Sequence, residues 1–173
     1  KPAAGQTRTG VVGVLATPAT FQGALYASVV ERFANGVTML PHTCPGLVAQ
    51  IERGELDSPA TRAILEDALL PMLAQGMDTV IMGCTHYPFV IPLIQSITGP
   101  NVRVIDPAPA VARQARRVLE GSALTAPGDA PGSLGSFTSG SPSALLALLP
   151  RLAGEDSPVR GVNWRGGEVE IAD

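Results

Sequence analysis

A chain of 173 residues that is 45% hydrophobic and only 16% charged is long enough to bury a core and too apolar to stay disordered. Twelve Lys and Arg against 15 Asp and Glu give a net charge of -3 with no basic stripe, which excludes nucleic acid as the main partner. Every apolar stretch is broken by Pro, Gly or charge short of the ~20 residues that cross a bilayer, and residues 1–9 lack the apolar centre of a signal peptide. No membrane partner is expected, and two cysteines, too few for a disulfide framework, favour a cytoplasmic location.

In chain order, residues 1–9 read as a solvated lead-in, and residues 10–16 (Gly-Val-Val-Gly-Val-Leu-Ala) as a buried strand. Thr17-Pro18-Ala19-Thr20 turns into one helix that the pattern carries to about Phe33, with Thr17 as its cap and Leu25, Val29 and Phe33 on one apolar face. A short strand at 37–40 leads to Cys44, just past its end. A short helix over 47–53 is closed by Gly54, and Asp57-Ser58-Pro59 is a strong start signal for another that runs to about Gln75. Pro71 should kink that helix near its end.

Residues 78–82 (Asp-Thr-Val-Ile-Met) form the next buried strand, and Gly83 lets the chain turn sharply, so Cys84 sits at a strand end. The run Tyr87 to Ile94 reads as an apolar helix with proline in its first turn. On that reading the thiol faces a helix N-terminus, where the macrodipole and an imidazolium at His86 would favour thiolate and allow proton exchange near neutral pH. A further strand spans 102–105. A helix follows from 108 to 119, with Val111, Ala115 and Val118 apolar and Arg113, Arg116 and Arg117 on its wet side. Residues 121–140 are rich in Gly, Ser, Pro and Ala and read as a long loop with an extended piece at 134–138. Ser141-Pro142 opens a last helix to about Leu152, and 161–171 suggest a strand or hairpin around Trp164. The repeated strand–helix–strand unit predicts an α/β fold, a doubly wound parallel sheet with helices on both faces.

The run Gly83-Cys84-Thr85-His86-Tyr87-Pro88 closely resembles a signature of the glutamate racemases. In the same order come Gly13-Val14-Leu15-Ala16-Thr17-Pro18-Ala19-Thr20 with Tyr26, then Cys44-Pro45, then Val104-Ile105-Asp106; together these cover roughly residues 10 to 120. The resemblance implies cofactor-independent interconversion of L- and D-glutamate, supplying D-glutamate for peptidoglycan. It makes Cys84 one of two acid/base thiols and gives His86 the task of tuning it or assisting proton movement. Thr85, Thr17 and Thr20 would hold the substrate. It also implies one lobe of a two-lobed enzyme plus its C-terminal return segment: 1–9 as lead-in, 10–105 as the α/β lobe carrying Cys84, and 106–173 as helix, loop and return segment. No Asp-Ser-Gly start, Tyr-Gly pair or Cys-Asn-Thr run occurs, so the N-terminal half with the first catalytic cysteine is expected to be absent and the chain inactive alone. Its partners would be glutamate, the missing half, or a second copy in a homodimer covering the apolar face of residues 111–118. Two positions depart from the family pattern: Gly23 and Pro107 stand where serine is usual.

Other readings stand beside this one. Thr17 and Thr20 serve equally as helix caps. Cys44 reads as a structural small hydrophobe, although redox pairing with Cys84 is geometrically conceivable. His42-x-Cys44 with Cys84-x-His86 makes a zinc inventory, but a single intervening residue seldom lets two ligands converge, so no metal and no cofactor is expected. Racemisation of aspartate or another amino acid, or a non-catalytic binding module on the same lobe, are the alternative functions.

Overall fold

The computed structural model describes residues 2–126, 128 and 132–172, which fall in two compact units, Lys1–Ser122 and Ala123–Asp173. In the first unit, strands β1 (Val11–Leu15), β2 (Thr38–His42), β3 (Thr79–Met82) and β4 (Arg103–Ile105) form one parallel sheet in the order β2-β1-β3-β4. β1 and β3 are the two central strands, and their near-continuous apolar runs are what a parallel strand buried on both faces requires. β2 lies at an edge, which is why it tolerates Pro41 and runs two residues beyond the expected stretch of 37–40.

One face of the sheet carries the core. Leu15, Val80 and Met82 pack there against Leu47 and Ile51 of α3 (Leu47–Glu52), Leu65, Ala68, Leu69 and Met72 of α4 (Pro59–Ala74), and Ile94 of α5 (Ile91–Thr98). Each fully buried Leu or Ile in this cluster contributes about 1.5–3 kcal/mol of transfer free energy. Gly13 belongs to this face because a Cβ there would run into the sulfurs of Met77 and Met72. At the start of α4, Ser58 accepts from the Thr61 backbone N–H at 3.3 Å, the cap that the sequence announces, and the helix passes through Pro71 to Ala74.

The other face is covered loosely. The single helix expected over 17–33 is two, α1 (Pro18–Gln22) and α2 (Ala24–Phe33), because Gly23 takes an extended conformation (φ -73°, ψ 132°) and has little helix propensity to oppose the break. Thr17 occupies the cap position, yet its hydroxyl bonds no backbone N–H; it meets the Thr20 hydroxyl at 3.2 Å. No residue of α2 is buried, and Leu25 is 77% exposed, so the apolar face of Leu25, Val29 and Phe33 stays outside the core. With α6 (Ala108–Gly121), α2 instead borders an apolar groove of about 1040 Å³ whose floor is Val14, Met39 and Ile81. Val111 and Val118 of α6 stand 65% and 54% exposed along it.

Residues 2–9 are exposed over most of their length but fastened at three points. Ala3 is buried, the Arg103 guanidinium donates to Gln6 Oε1 at 2.9 Å, and the Thr7 hydroxyl donates to Asp78 Oδ1 at 2.6 Å. In the second unit, β5 (Ser136–Thr138), β6 (Val159–Arg165) and β7 (Glu168–Ile171) form a sheet in that order, with β5 parallel and β7 antiparallel to β6. Gly166 and Gly167, both at positive φ (58° and 89°), make the two-residue hairpin turn between β6 and β7. Ser141 caps α7 (Pro142–Ala153) by accepting from the Ala144 N–H. Of the loop expected over 121–140, residues 127 and 129–131 lie outside the described residues.

Candidate active site

The sheet register places the candidate residues. Leu15 pairs with His42 on one side and Met82 on the other, so these three residues form one row across the carboxyl ends of β2, β1 and β3. Two positions beyond that row on each chain come Cys44, Thr17 and Cys84. Because β1 is followed by β2 on one side and the chain then crosses to β3 on the other, β1 and β3 flank the switch point of the sheet, where open α/β folds bind ligands. Thr17, Thr20 and Cys84 all leave the sheet at that point.

Gly83 makes the approach of the two central strands possible, just before the chain bends at Cys84. It is absent from the positive-φ glycines; a Cβ there would lie 2.8 Å from Ala16 Cβ, and its N–H donates to the Leu15 carbonyl at 2.7 Å. Cys84 is half-buried against the edge of the core cluster. The segment after it is not the expected α-helix. Pro92 has no N–H to give the Pro88 carbonyl, which accepts from Ile91 instead, so Tyr87–Val90 is a 3-10 turn and α5 begins only at Ile91. Since the macrodipole acts within the first turn of a helix, its positive end lies at Ile91 rather than at the thiol.

Thr85 is exposed in the turn, whose Tyr87 N–H donates to the Cys84 carbonyl at 3.2 Å. His86 turns to the end of α3, where its Nε2 lies 3.1 Å from Glu52 Oε1. Glu52 escaped the sequence reading. It is 34 positions from its partner, and no local pattern links the two.

Cys44 is buried at 5% exposure. Burial first, then the Asp67 carboxylate and the neighbouring Cys84, push its thiol up to about 12, so it stays neutral at physiological pH. Burial, with Cys44 and Cys84 nearby, likewise pushes the Tyr87 phenol up to about 12 against the pull of a backbone hydrogen bond with Cys44. Both cysteines are free thiols. Among the described residues no three His, Cys, Asp or Glu side chains come together as metal ligands, so the His42, Cys44, Cys84 and His86 inventory does not converge. The apolar groove touches Thr20 and Gly83 but not Cys84. Among the described residues no helix is long and apolar enough to cross a membrane.

A family model described as Asp/Glu/Hydantoin racemase matches residues 2–115. A glutamate racemase of Pseudomonas putida is 51% identical over 152 residues, covering 88% of this chain and 57% of that protein. One from Pseudomonas aeruginosa is 48% identical over 159 residues, 92% of this chain and 60% of the relative. Among solved structures, a glutamate racemase isoform of Bacillus anthracis superposes with a TM-score of 0.78 at 28% identity, over 94% of this chain and 60% of that one. The Escherichia coli glutamate racemase, solved with L-glutamate and the activator UDP-MurNAc-Ala, gives 0.72 at 28% identity, over 88% and 58%. The chain therefore spans less than two thirds of the relatives it matches. With two thirds of its own length under that family model and half of 152 aligned residues identical to a glutamate racemase, the chain belongs to the aspartate/glutamate racemase family.

Proposed function

We infer that this chain carries the Cys84 side of a glutamate-racemising site and acts on free glutamate in the cytoplasm, where its two thiols stay reduced. In that reaction the Cys84 thiolate takes the α-proton from one face of the substrate carbon, the C–H bond breaking as an S–H bond forms. A second thiol, from the part of the relatives this chain does not span, protonates the opposite face; in the reverse direction the two exchange roles. Deprotonating so weak a carbon acid needs a base in contact and help for the developing carbanion. Thr17, Thr20 and Thr85 supply hydroxyl donors for the substrate carboxylate, and His86 assists proton movement at Cys84. No cofactor takes part. Residues 10–105 act as the working lobe, and 106–173 as a segment that returns to the other lobe. The product, D-glutamate, enters peptidoglycan.

The observation that carries this reading is the register row: Thr17 and Cys84 stand at equal offsets past adjacent central strands, at the switch point of the sheet. The test is a chimera in which the unmatched N-terminal part of the Pseudomonas putida relative precedes this chain. The chimera is expected to bring the circular dichroism of L-glutamate to zero, while the chain alone leaves it unchanged. Cys84→Ala in the chimera should lower turnover by at least about 10²-fold, the smallest share usually carried by a positioned general base. Turnover that survives Cys84→Ala would overturn the assignment, and faster loss of signal from L-aspartate would move the substrate while keeping the chemistry.

A further inference from the structure

Tyr87 is the largest of the fully buried side chains, at 2% exposure. Packing asks only for a ring there, which phenylalanine would supply; a phenol oxygen adds a buried polar atom that must find a partner. Its partner is the backbone N–H of Cys44, which donates to Oη, while the N–H of Tyr87 itself donates to the Cys84 carbonyl at 3.2 Å. One residue therefore bonds to both cysteine turns. Those turns lie past the reach of the sheet. Beyond the row of His42, Leu15 and Met82, the Ala16 N–H donates to the His42 carbonyl at 3.2 Å and the Gly83 N–H to the Leu15 carbonyl at 2.7 Å, which carries the sheet one residue further. Cys44 and Cys84 each stand two positions past the row, after β2 and β3, with β1 between them. Resting on the role given above to Cys84, we propose that Tyr87 is a positioning residue whose phenol pins the Cys84 turn to the Cys44 turn across the end of β1, so that the thiol keeps its place relative to Thr17. Proton transfer from carbon tolerates little displacement of the base, since a shift of about 1 Å costs about 10²-fold.

The pH profile of iodoacetamide alkylation at Cys84, followed by mass spectrometry in the full chain, tests this without substrate. Thiolate is the species alkylated, so the midpoint of the profile reads the thiol's proton affinity and the plateau reads access. Tyr87→Phe keeps the ring and deletes the tie, and the plateau is expected to rise roughly fivefold as the half-buried thiol comes free by local opening. Cys44→Ala keeps the backbone N–H and removes a thiol that burial already holds neutral, so its profile should match wild type within about twofold. Val12→Ala leaves a cavity at the other end of β1; it should lower the melting temperature and leave the plateau where it is. Three results overturn the proposal: a Tyr87→Phe plateau within about twofold of wild type, a midpoint that moves while the plateau does not, or a Val12→Ala plateau that rises as far. In the chimera, Tyr87→Phe should lower kcat about tenfold and leave KM within about twofold. A chimera inactive even with Tyr87 intact would count against the racemase reading and leave the alkylation profile to decide this one.

Discussion

Asp78 shows how one side chain fixes a stretch of backbone. It is 8% exposed and accepts from the Thr7 hydroxyl at 2.6 Å, the Arg8 and Thr9 N–H groups at 2.7 and 3.0 Å, and the Thr79 hydroxyl at 3.1 Å. Burial pushes the carboxyl up, but these four donors outweigh it and hold the group well below the usual carboxylate range. A depressed folded value means that the stabilisation is present above the unfolded value near 4 and is lost as pH falls further. Asp78→Asn should therefore cost about 1–3 kcal/mol at pH 7, the loss of a charged acceptor that serves several donors. Urea unfolding of both proteins at pH 7 and again near pH 3 checks the sign, because the gap between them should narrow in acid. A gap that stays constant would mean that the carboxylate is not the anchor of residues 7–9.

Between elements, the closest fit lies where β1 and β3 run out toward the site. Gly83 has no room for a methyl group: 2.8 Å to Ala16 Cβ and 3.1 Å to the Leu15 carbonyl oxygen leave only backbone to give way. Gly83→Ala is expected to destabilise by about 1–3 kcal/mol, as overpacking does, and to move Cys84 relative to Thr17. Thermal melting combined with the alkylation rate of Cys84 measures both effects, and an unchanged rate would show that the thiol keeps its place without this contact. Much at this scale is legible in sequence. Buried parallel strands are continuous apolar runs, so β1 and β3 stand out, and the run from Gly83 to Pro88 puts a thiol at a strand end. The break at Gly23 and the 3-10 turn forced by Pro92 are less legible, because a helical pattern tolerates one glycine or a proline in its first turn and does not say which local bond yields. The Glu52 to His86 contact is not legible at all. It exists only once α3 packs beside the turn after β3, and a pairing across 34 residues leaves no periodic trace.

For the molecule as a whole, the contrast between the two units decides how it holds together. The first unit buries a contiguous cluster running from Leu15 through Met72 to Ile94, whereas none of the described residues from 123 onward is buried. Phe137, Trp164, Val169 and Ile171 are 46–69% exposed, and a small sheet with no interior retains little of the hydrophobic free energy that must offset chain entropy. The second unit should open at almost no free-energy cost while the first opens only with global unfolding. Hydrogen exchange followed by mass spectrometry is expected to show β5, β6 and β7 fully exchanged within about a minute, with β1, β3 and α4 protected for hours. Joining the unmatched part of a Pseudomonas putida relative should then slow exchange in β5–β7 and α6, because the apolar surface that both expose would find cover. Equal protection of both units in the chain alone would mean that residues 123–172 supply their own stability, and the return-segment role proposed for them would lose its physical basis.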